Sequence, residues 1–394
     1  MKLCVVTPFP PELSGLGIYG WNISHGLAQS GRVQSLTVLA GNNQSVAALS
    51  PLDSRMWHTR YAWTRDDPAT ALRLVHIIRE ERPDVAWFNL GFSIFGSSRA
   101  TNFLGLTAPM LTQLSGIPAV VTLHEVFEAA HLHDIGATNG RFTELGAQTA
   151  TRLLLRADTV CVTLRSYVEI LQTCYDAHNI EYVPLGTFAP PEYLPRPAGS
   201  PPNILINGMF APYKGLPVLV EAFGRVRRVW PEASLTIAGA DHQRFPGYLA
   251  SIRTATNGAP GIHWDGIQTE SQLRDLFMRA HVVVVPSLAT TGASSVVHRA
   301  AAFGRPLIVS DLPDLRAVAE EEDLRVDYVP PGDAGALAEA LIRLLAEPER
   351  GEALARHNLA RMQTMTVAHT CSRYLDLFDQ AMDRGRQRAN SHHG

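Results

Sequence analysis

The chain predicts an α/β protein of two parallel-sheet domains, and three observations support this. Short runs such as 119–123 and 282–285 are apolar on both faces, they alternate with helical segments of ordinary length, and 394 residues exceed what one hydrophobic core usually organises. The first half reads as a strand over 2–7, a loop through Gly15 and Gly17, a helix over 18–29 and a strand over 35–39. A helix over 68–81, strands over 85–88 and 119–123, a helix over 142–155, a strand over 159–163, a helix over 164–175 and a short strand over 180–183 complete it. A proline-dense stretch at 190–202 then breaks the pattern, as a linker does.

The alternation repeats beyond that stretch. Strands over 203–207, 234–238, 262–264, 282–285 and 306–310 interleave with helices over 216–229, 248–256, 270–279, 295–303 and 315–320. Asp333 is placed to cap a helix over 334–345, and helical segments within 354–382 precede a polar tail. Tyr374, Leu375, Leu377 and Phe378 read there as core contacts. The expected division is a first domain over 1–190, a linker over 191–202, a second domain over 203–370 and a terminal helix and tail over 371–394.

Composition narrows the classes of function. A formal net charge of −3, with the signs well mixed, gives no electrostatic ground for nucleic-acid binding. No apolar run reaches a bilayer span, and residues 1–6 pass into Pro8 and Pro10-Pro11 without a signal-peptide profile, so a cytoplasmic protein is expected, with docking at a membrane surface left open. Cys4, Cys161, Cys174 and Cys371 are widely separated and never form a CxxC pair. They read as buried thiols in a reducing compartment, neither a zinc site nor a disulfide framework.

Chemistry concentrates at predicted strand ends. The run 203–207 meets Gly208, the next strand meets Gly239, and 282–285 leads into Pro286-Ser287 and a small-residue loop through Gly292, Ser294 and Ser295. A glycine at the end of a buried parallel strand lets backbone amides approach an anion closely. Any one of these glycines is more often a simple turn; three in order point to a nucleotide-diphosphate site. In the first half His124 follows the run 119–123, with a capping or packing histidine as the plainer alternative, and Glu125 stands beside it to fix its tautomer. The His131, His133, Asp134 cluster lacks a further ligand at zinc spacing, and Arg152 and Arg156 read as one solvated helix face.

In their order these features resemble the retaining glycosyltransferases of family 4, whose GT-B fold is two facing Rossmann-like domains with parallel sheets and a cleft between them. The resemblance covers nearly the whole chain. It rests on Pro10-Pro11 with Ser14-Gly15-Leu16-Gly17, on Thr122-Leu123-His124-Glu125, on Gly208-Met209 followed by Pro212-Tyr213-Lys214-Gly215, and on Pro286-Ser287 leading to Ala300-Ala301-Ala302-Phe303-Gly304-Arg305-Pro306. It departs in chemistry: Met209 stands where the family has an arginine, and the two glutamates of its E-x7-E pattern fall on Thr291 and Arg299.

The resemblance implies a metal-independent, hexosyltransferase-like enzyme with no tightly bound cofactor. It would move a sugar from a nucleotide-diphosphate sugar to a hydroxyl-bearing acceptor, with Lys214 and His124 as the catalytic pair. Donor contacts would come from Gly15, Gly17, Gly208, Gly239, Gly266, Gly292, Ser294 and Ser295, and Ile267 would pack on the base. Arg299 either covers its helix surface or grips an anion in place of the carboxylate. His131, His133 and Asn139 would meet acceptor hydroxyls. A noncatalytic sugar- or nucleotide-binding protein and a sugar-nucleotide epimerase of the same architecture stay as alternatives, and a phosphorylase would need a bulkier chain.

Overall fold

The computed structural model describes residues 1–10, 14–42, 57–128, 141–193, 199–256, 258–290 and 292–391. In chain order the first elements are β1 (Lys2–Val6), α1 (Gly15–Gln29), β2 (Ser35–Gly41), β3 (Trp57–Trp63), α2 (Thr70–Glu81), β4 (Val85–Leu90), α3 (Arg99–Gly105) and α4 (Ala108–Leu114). There follow β5 (Ala119–Leu123), α5 (Arg141–Leu154), β6 (Thr159–Val162), α6 (Arg165–Tyr175) and β7 (Ile180–Tyr182). The later elements are β8 (Asn203–Phe210), α7 (Leu216–Val229), β9 (Ser234–Asp241), α8 (Tyr248–Ala255), β10 (Ile262–Asp265), α9 (Glu270–Arg279), β11 (Val282–Val285) and α10 (Ser295–Ala302). The chain closes with β12 (Leu307–Ser310), α11 (Pro313–Glu321), β13 (Asp327–Val329), α12 (Ala334–Ala346), α13 (Pro348–Gln363) and α14 (Val367–Ser391).

The chain divides into two units. Among the described residues, the first runs to Leu185 and takes up the chain again from Val367, and the second is Gly186–Thr366. The first holds a seven-stranded sheet in the order β3-β2-β1-β4-β5-β6-β7, the second a six-stranded sheet in the order β10-β9-β8-β11-β12-β13. Every recorded strand pairing is parallel. Central strands such as β4 and β11 are buried at every position, which is why they read as apolar runs without alternation.

The last helix belongs to the first unit. Its face of Tyr374, Leu375, Leu377 and Phe378 is at most 3% exposed and bears out their reading as core. The helix crosses α1 closely at Gly26, where an added Cβ would lie 2.6 Å from the Cys371 sulfur. A polar thread runs through this apolar packing: Tyr374 Oη lies 2.7 Å from Tyr19 Oη and 2.8 Å from Thr122 Oγ1, which accepts from Trp87 Nε1 at 2.9 Å. Burying four polar groups there is tolerable because each has a partner.

The second unit packs α7 and α12 on one face of its sheet through Leu219, Phe223, Leu337 and Leu341. Two of its helix starts, those of α9 and α12, are capped by side chains. Asp333 accepts from the Ala336 amide at 2.9 Å, as predicted, and Thr269 with Gln272 forms a reciprocal capping box on α9.

Several boundaries differ from the sequence reading. β3, β13, α3 and α4 are elements that reading lacks, and α1 starts at Gly15, not at 18. The largest correction is at β8 and β9, which do not stop at their glycines. They pair in register through Gly208↔Gly239 to Phe210↔Asp241. Both glycines keep the strands going with φ of +148° and +139°, a backbone other residues rarely adopt.

Candidate functional site

In each sheet the strand order reverses once, and the carboxyl ends of the strands flanking a reversal are where open α/β sheets receive ligands. In the first unit the reversal lies between β1 and β4. Thr7 follows β1, Asn89 is the penultimate residue of β4, and His124 follows β5. Asn89 is wholly buried. Its Nδ2 donates to Thr7 Oγ1 at 2.8 Å and to the Leu16 carbonyl at 3.0 Å, and its Oδ1 lies 2.6 Å from His124 Nε2. The Tyr19 ring meets His124 edge-on at 4.5 Å. Burial pushes the His124 pKa down to about 4, so the ring is neutral at physiological pH. Asn89, not Glu125, meets the histidine Nε2; Glu125 Oε1 accepts from the Phe92 amide at 2.9 Å.

The start of α1 stands beside this cluster. Ser14 caps the helix by accepting from the Gly17 amide at 3.0 Å, so Gly15 and Gly17 belong to its first turn. The Gly17 amide therefore serves the cap, where the sequence predicts a loop amide facing a phosphate. Gly20 brings α1 close to the end of β1: a Cβ there would lie 2.2 Å from Thr7 Oγ1.

In the second unit the reversal lies between β8 and β11. Beyond β8, a single turn of 3-10 helix over Pro212–Lys214 ends at Gly215, whose φ is +68°. A Cβ on Gly215 would lie 1.8 Å from the Pro286 carbonyl oxygen, so only glycine lets this turn sit on the end of β11. The Leu288 amide donates to the Tyr213 carbonyl at 2.8 Å and fastens the two loops together. Lys214 is half-buried, with Nζ 5.6 Å from the Tyr213 ring centroid. Burial holds its pKa below the ordinary lysine value, and among the described residues no carboxylate pairs with it. The His242 pKa is also lowered, first by burial, then by the charges of Arg244 and Lys214.

Around this turn the predicted donor contacts are dispersed along the strand ends. Gly208 and Gly239 lie within the paired strands, and Gly266 is exposed just past β10, its carbonyl accepting from the Gly239 amide at 3.1 Å. Ile267 is 53% exposed. Gly292 has a φ of +144°, Ser294 is the N-cap residue of α10 without a side-chain cap bond, and Ser295 is exposed at its first position. Asp241, the last residue of β9, accepts from the Gly247 and Leu249 amides at 2.6 and 2.7 Å and fixes the start of α8.

Arg299 is engaged by a neighbour. Its guanidinium forms a two-pronged pair with Glu270 at 2.6 and 3.1 Å. The preceding residue, His298, points inward to a buried ion pair with Glu322 at 2.7 Å, and its Nδ1 lies 2.8 Å from the Ser294 carbonyl. Burial opposes the charge on His298, but the Glu322 carboxylate, its hydrogen bond and the Ser294 carbonyl outweigh it and raise the pKa. Thus α10 is tied at one residue to the interior and at the next to α9.

Other sequence-selected residues stand apart. His131, His133 and Asn139 lie outside the described residues, as does Thr291. Cys4, Cys161 and Cys371 are buried free thiols, but Cys174 is exposed on α6, which corrects its reading as buried; it falls on the solvent side of an amphipathic helix. A cavity of about 440 Å³ lies at the opposite, amino end of the second sheet, between Tyr193, Trp230, His281 and Glu349. Its cation, Arg305, is already engaged with the carbonyls of Phe303, Met278 and Ala280. Among the described residues no helix is long and apolar enough to cross a membrane.

Two family models match the chain. One, described as a glycosyl transferase 4-like domain, covers residues 14–186, and one, described as glycosyl transferases group 1, covers residues 201–347. The phosphatidyl-myo-inositol mannosyltransferase of Mycobacterium leprae (strain TN) is 28% identical over 156 residues, 38% of this chain and 40% of that relative's length. Among solved structures, the sucrose-phosphate synthase of Thermosynechococcus elongatus superposes with a TM-score of 0.74 at 20% identity, covering 98% of this chain and 100% of that one. The Anabaena protein HepE in complex with UDP and glucose superposes with a TM-score of 0.71 at 13% identity, covering 96% and 99%. The two parallel-sheet units are thus those of the GT-B fold.

Proposed function

Starting from a chain that belongs to the group 1 glycosyltransferases, we propose that it transfers a sugar from a nucleotide-diphosphate donor to an acceptor hydroxyl with retention of anomeric configuration. The observation that carries this reading is Lys214, a half-buried cation with no carboxylate partner among the described residues, held on a turn ending at Gly215 where the second sheet's strand order reverses. Even partial loss of water around a cation is costly unless an anion meets it. The terminal phosphate of a departing nucleoside diphosphate is such an anion, and its charge grows towards the transition state, so Lys214 contributes more there than in the ground state.

His124 takes the other task. A neutral imidazole cannot stabilise the phosphate by charge, but it hydrogen-bonds a sugar hydroxyl and orients it. The amides around Gly292 to Ser295 add to the phosphate site at the start of α10. Retention by same-face attack, with the leaving phosphate accepting the acceptor proton, asks for no carboxylate base, in keeping with Thr291 and Arg299 at the family's glutamate positions. Charge stabilisation by Lys214 and amides does not call for a metal ion, so activity is expected to survive chelation.

Binding is tested first with thermal-shift scans and calorimetry against UDP, GDP, ADP and TDP. One of them should raise the melting temperature, and the corresponding nucleotide sugar should then be turned over with retained anomeric configuration by NMR. Binding without hydrolysis or transfer favours a noncatalytic binder; no binding by any of the four defeats the reading.

A further inference from the structure

We infer that Asn89 is a positioning residue that fixes the tautomer of His124, leaving Nδ1 as the nitrogen that accepts from a substrate hydroxyl. The proposal rests on the transferase reading for the word substrate, and on hydrogen-bond geometry alone for the tautomer. A backbone carbonyl only accepts, so the Asn89 atom 3.0 Å from the Leu16 carbonyl is the amide nitrogen. That nitrogen also serves Thr7 Oγ1 at 2.8 Å. The other end of the amide is then the oxygen, which also only accepts, and it lies 2.6 Å from His124 Nε2. Nε2 must carry the hydrogen. In a neutral ring this places the lone pair on Nδ1.

The same amide does a second job. Leu16 lies in the first turn of α1, and Thr7 follows β1, so one buried side chain on β4 holds the helix start, the end of the neighbouring strand and the histidine ring together. Asn89 cannot easily turn over, because reversing the amide would set an oxygen against the Leu16 carbonyl and a nitrogen against the ring N–H, leaving buried polar groups unpaired. The edge of the Tyr19 ring, 4.5 Å away between centroids, limits rotation of the imidazole itself. A polar residue in an otherwise apolar central strand thus acts through His124, and it need not touch substrate.

The test is long-range proton–nitrogen NMR on the full chain with 15N-labelled histidine, at about pH 7, with the His124 signals assigned by their loss in His124→Gln. The expected result is a neutral ring protonated at Nε2. Protonation at Nδ1 overturns the proposal whatever the protein's activity. Asn89→Leu keeps the volume and removes the polar clamp. It should let the two tautomers exchange and lower turnover of the nucleotide sugar chosen by the thermal-shift series by roughly 10- to 100-fold, the scale for losing an orienting partner of a functional imidazole. An unchanged tautomer in that variant also overturns the assignment. If Asn89→Leu does not fold, the wild-type spectrum still decides. A chain that binds no nucleotide while showing the Nε2-protonated ring defeats the transferase reading and leaves the hydrogen-bond assignment standing.

Discussion

In the first unit the strand reversal between β1 and β4 is filled by side chains, with Asn89 hydrogen-bonded to both Thr7 and His124 and Tyr19 against the ring. In the second, the reversal between β8 and β11 is made of backbone: Gly208, Gly239 and Gly215 keep side chains away, and one cation, Lys214, projects from the turn. The two sheets share an architecture and differ in what they bring to a ligand. A neutral ring needs a fixed orientation, which other side chains supply. A phosphate needs close approach and positive charge, and side chains other than the cation only obstruct it.

The strongest way to break that contrast is Lys214→Ala. Losing one transition-state electrostatic contact should lower kcat by roughly two to three orders of magnitude on the true donor while the fold persists by circular dichroism. Near-normal turnover would make Lys214 an ordinary surface cation. His124→Ala should cost less, because orientation by a neutral hydrogen bond is weaker than charge stabilisation.

The backbone half of the comparison is tested by adding one carbon. Gly239→Ala would put a Cβ 1.9 Å from the Gly208 carbonyl oxygen at a φ of +139°, whereas Gly208→Ala meets nothing within 4 Å and faces only its φ of +148°. We expect Gly239→Ala to destabilise the second unit by about 3 kcal/mol or more and Gly208→Ala by about 1–2 kcal/mol, read from denaturant midpoints. Equal effects would mean that backbone conformation, not close approach, sets the need for glycine.

Acid and base should separate the units. The folded His124 pKa of about 4 lies below its unfolded value, so its contribution to the first unit is present above about pH 6.5 and is lost as pH falls towards 4. His298 has a raised folded pKa, so its contribution to the second unit is full below about pH 6.5 and is lost as pH rises through the raised value. Hydrogen exchange on the two units should therefore show opposite pH trends, flattened by His124→Gln in the first and by His298→Gln in the second. Parallel trends would remove both assignments.

The smallest expected effect is at Arg299. Its partner Glu270 is 53% exposed in its side chain, so Arg299→Ala should change stability by under about 1 kcal/mol. If the pair opens to grip an anion, the same change weakens nucleoside-diphosphate binding by about 1–3 kcal/mol, measurable by calorimetry. No change in affinity leaves Arg299 as a tie between α10 and α9.

Much of this architecture is legible in the sequence because buried parallel strands leave no choice of residue. Runs such as 282–285 can be little else when flanked by helical periodicity, and α9 and β11 fall where predicted. Trp57–Trp63 escapes because a strand with half-buried and exposed positions, carrying His58 and Arg60, lacks that signature. The glycines mislead in a specific way: Gly208 and Gly239 look like strand ends but continue the pairing, because a positive φ can preserve register where the usual glycine turn would break it. At the site, His124 and Lys214 are visible as single residues. Asn89 is not, because its importance lies in whom it bonds, and only the fold brings Thr7, Leu16 and His124 to it.

The return of α14 to the first unit has a consequence for how the protein is made. Tyr374 completes the buried bonds to Tyr19 and Thr122, so a ribosome-bound chain that has released the whole first sheet still lacks its closing helix until the entire second unit has been synthesised. The second unit needs no such wait. Its ends are tied to each other, with the Thr187 amide donating to the Met365 carbonyl at 2.9 Å and Thr187 bridged to Thr366. The order of maturation during translation is thus inverted relative to the order of the sequence: the later-encoded sheet can settle first, and the earlier one waits with an apolar face uncovered, the stretch of its life most in need of a chaperone.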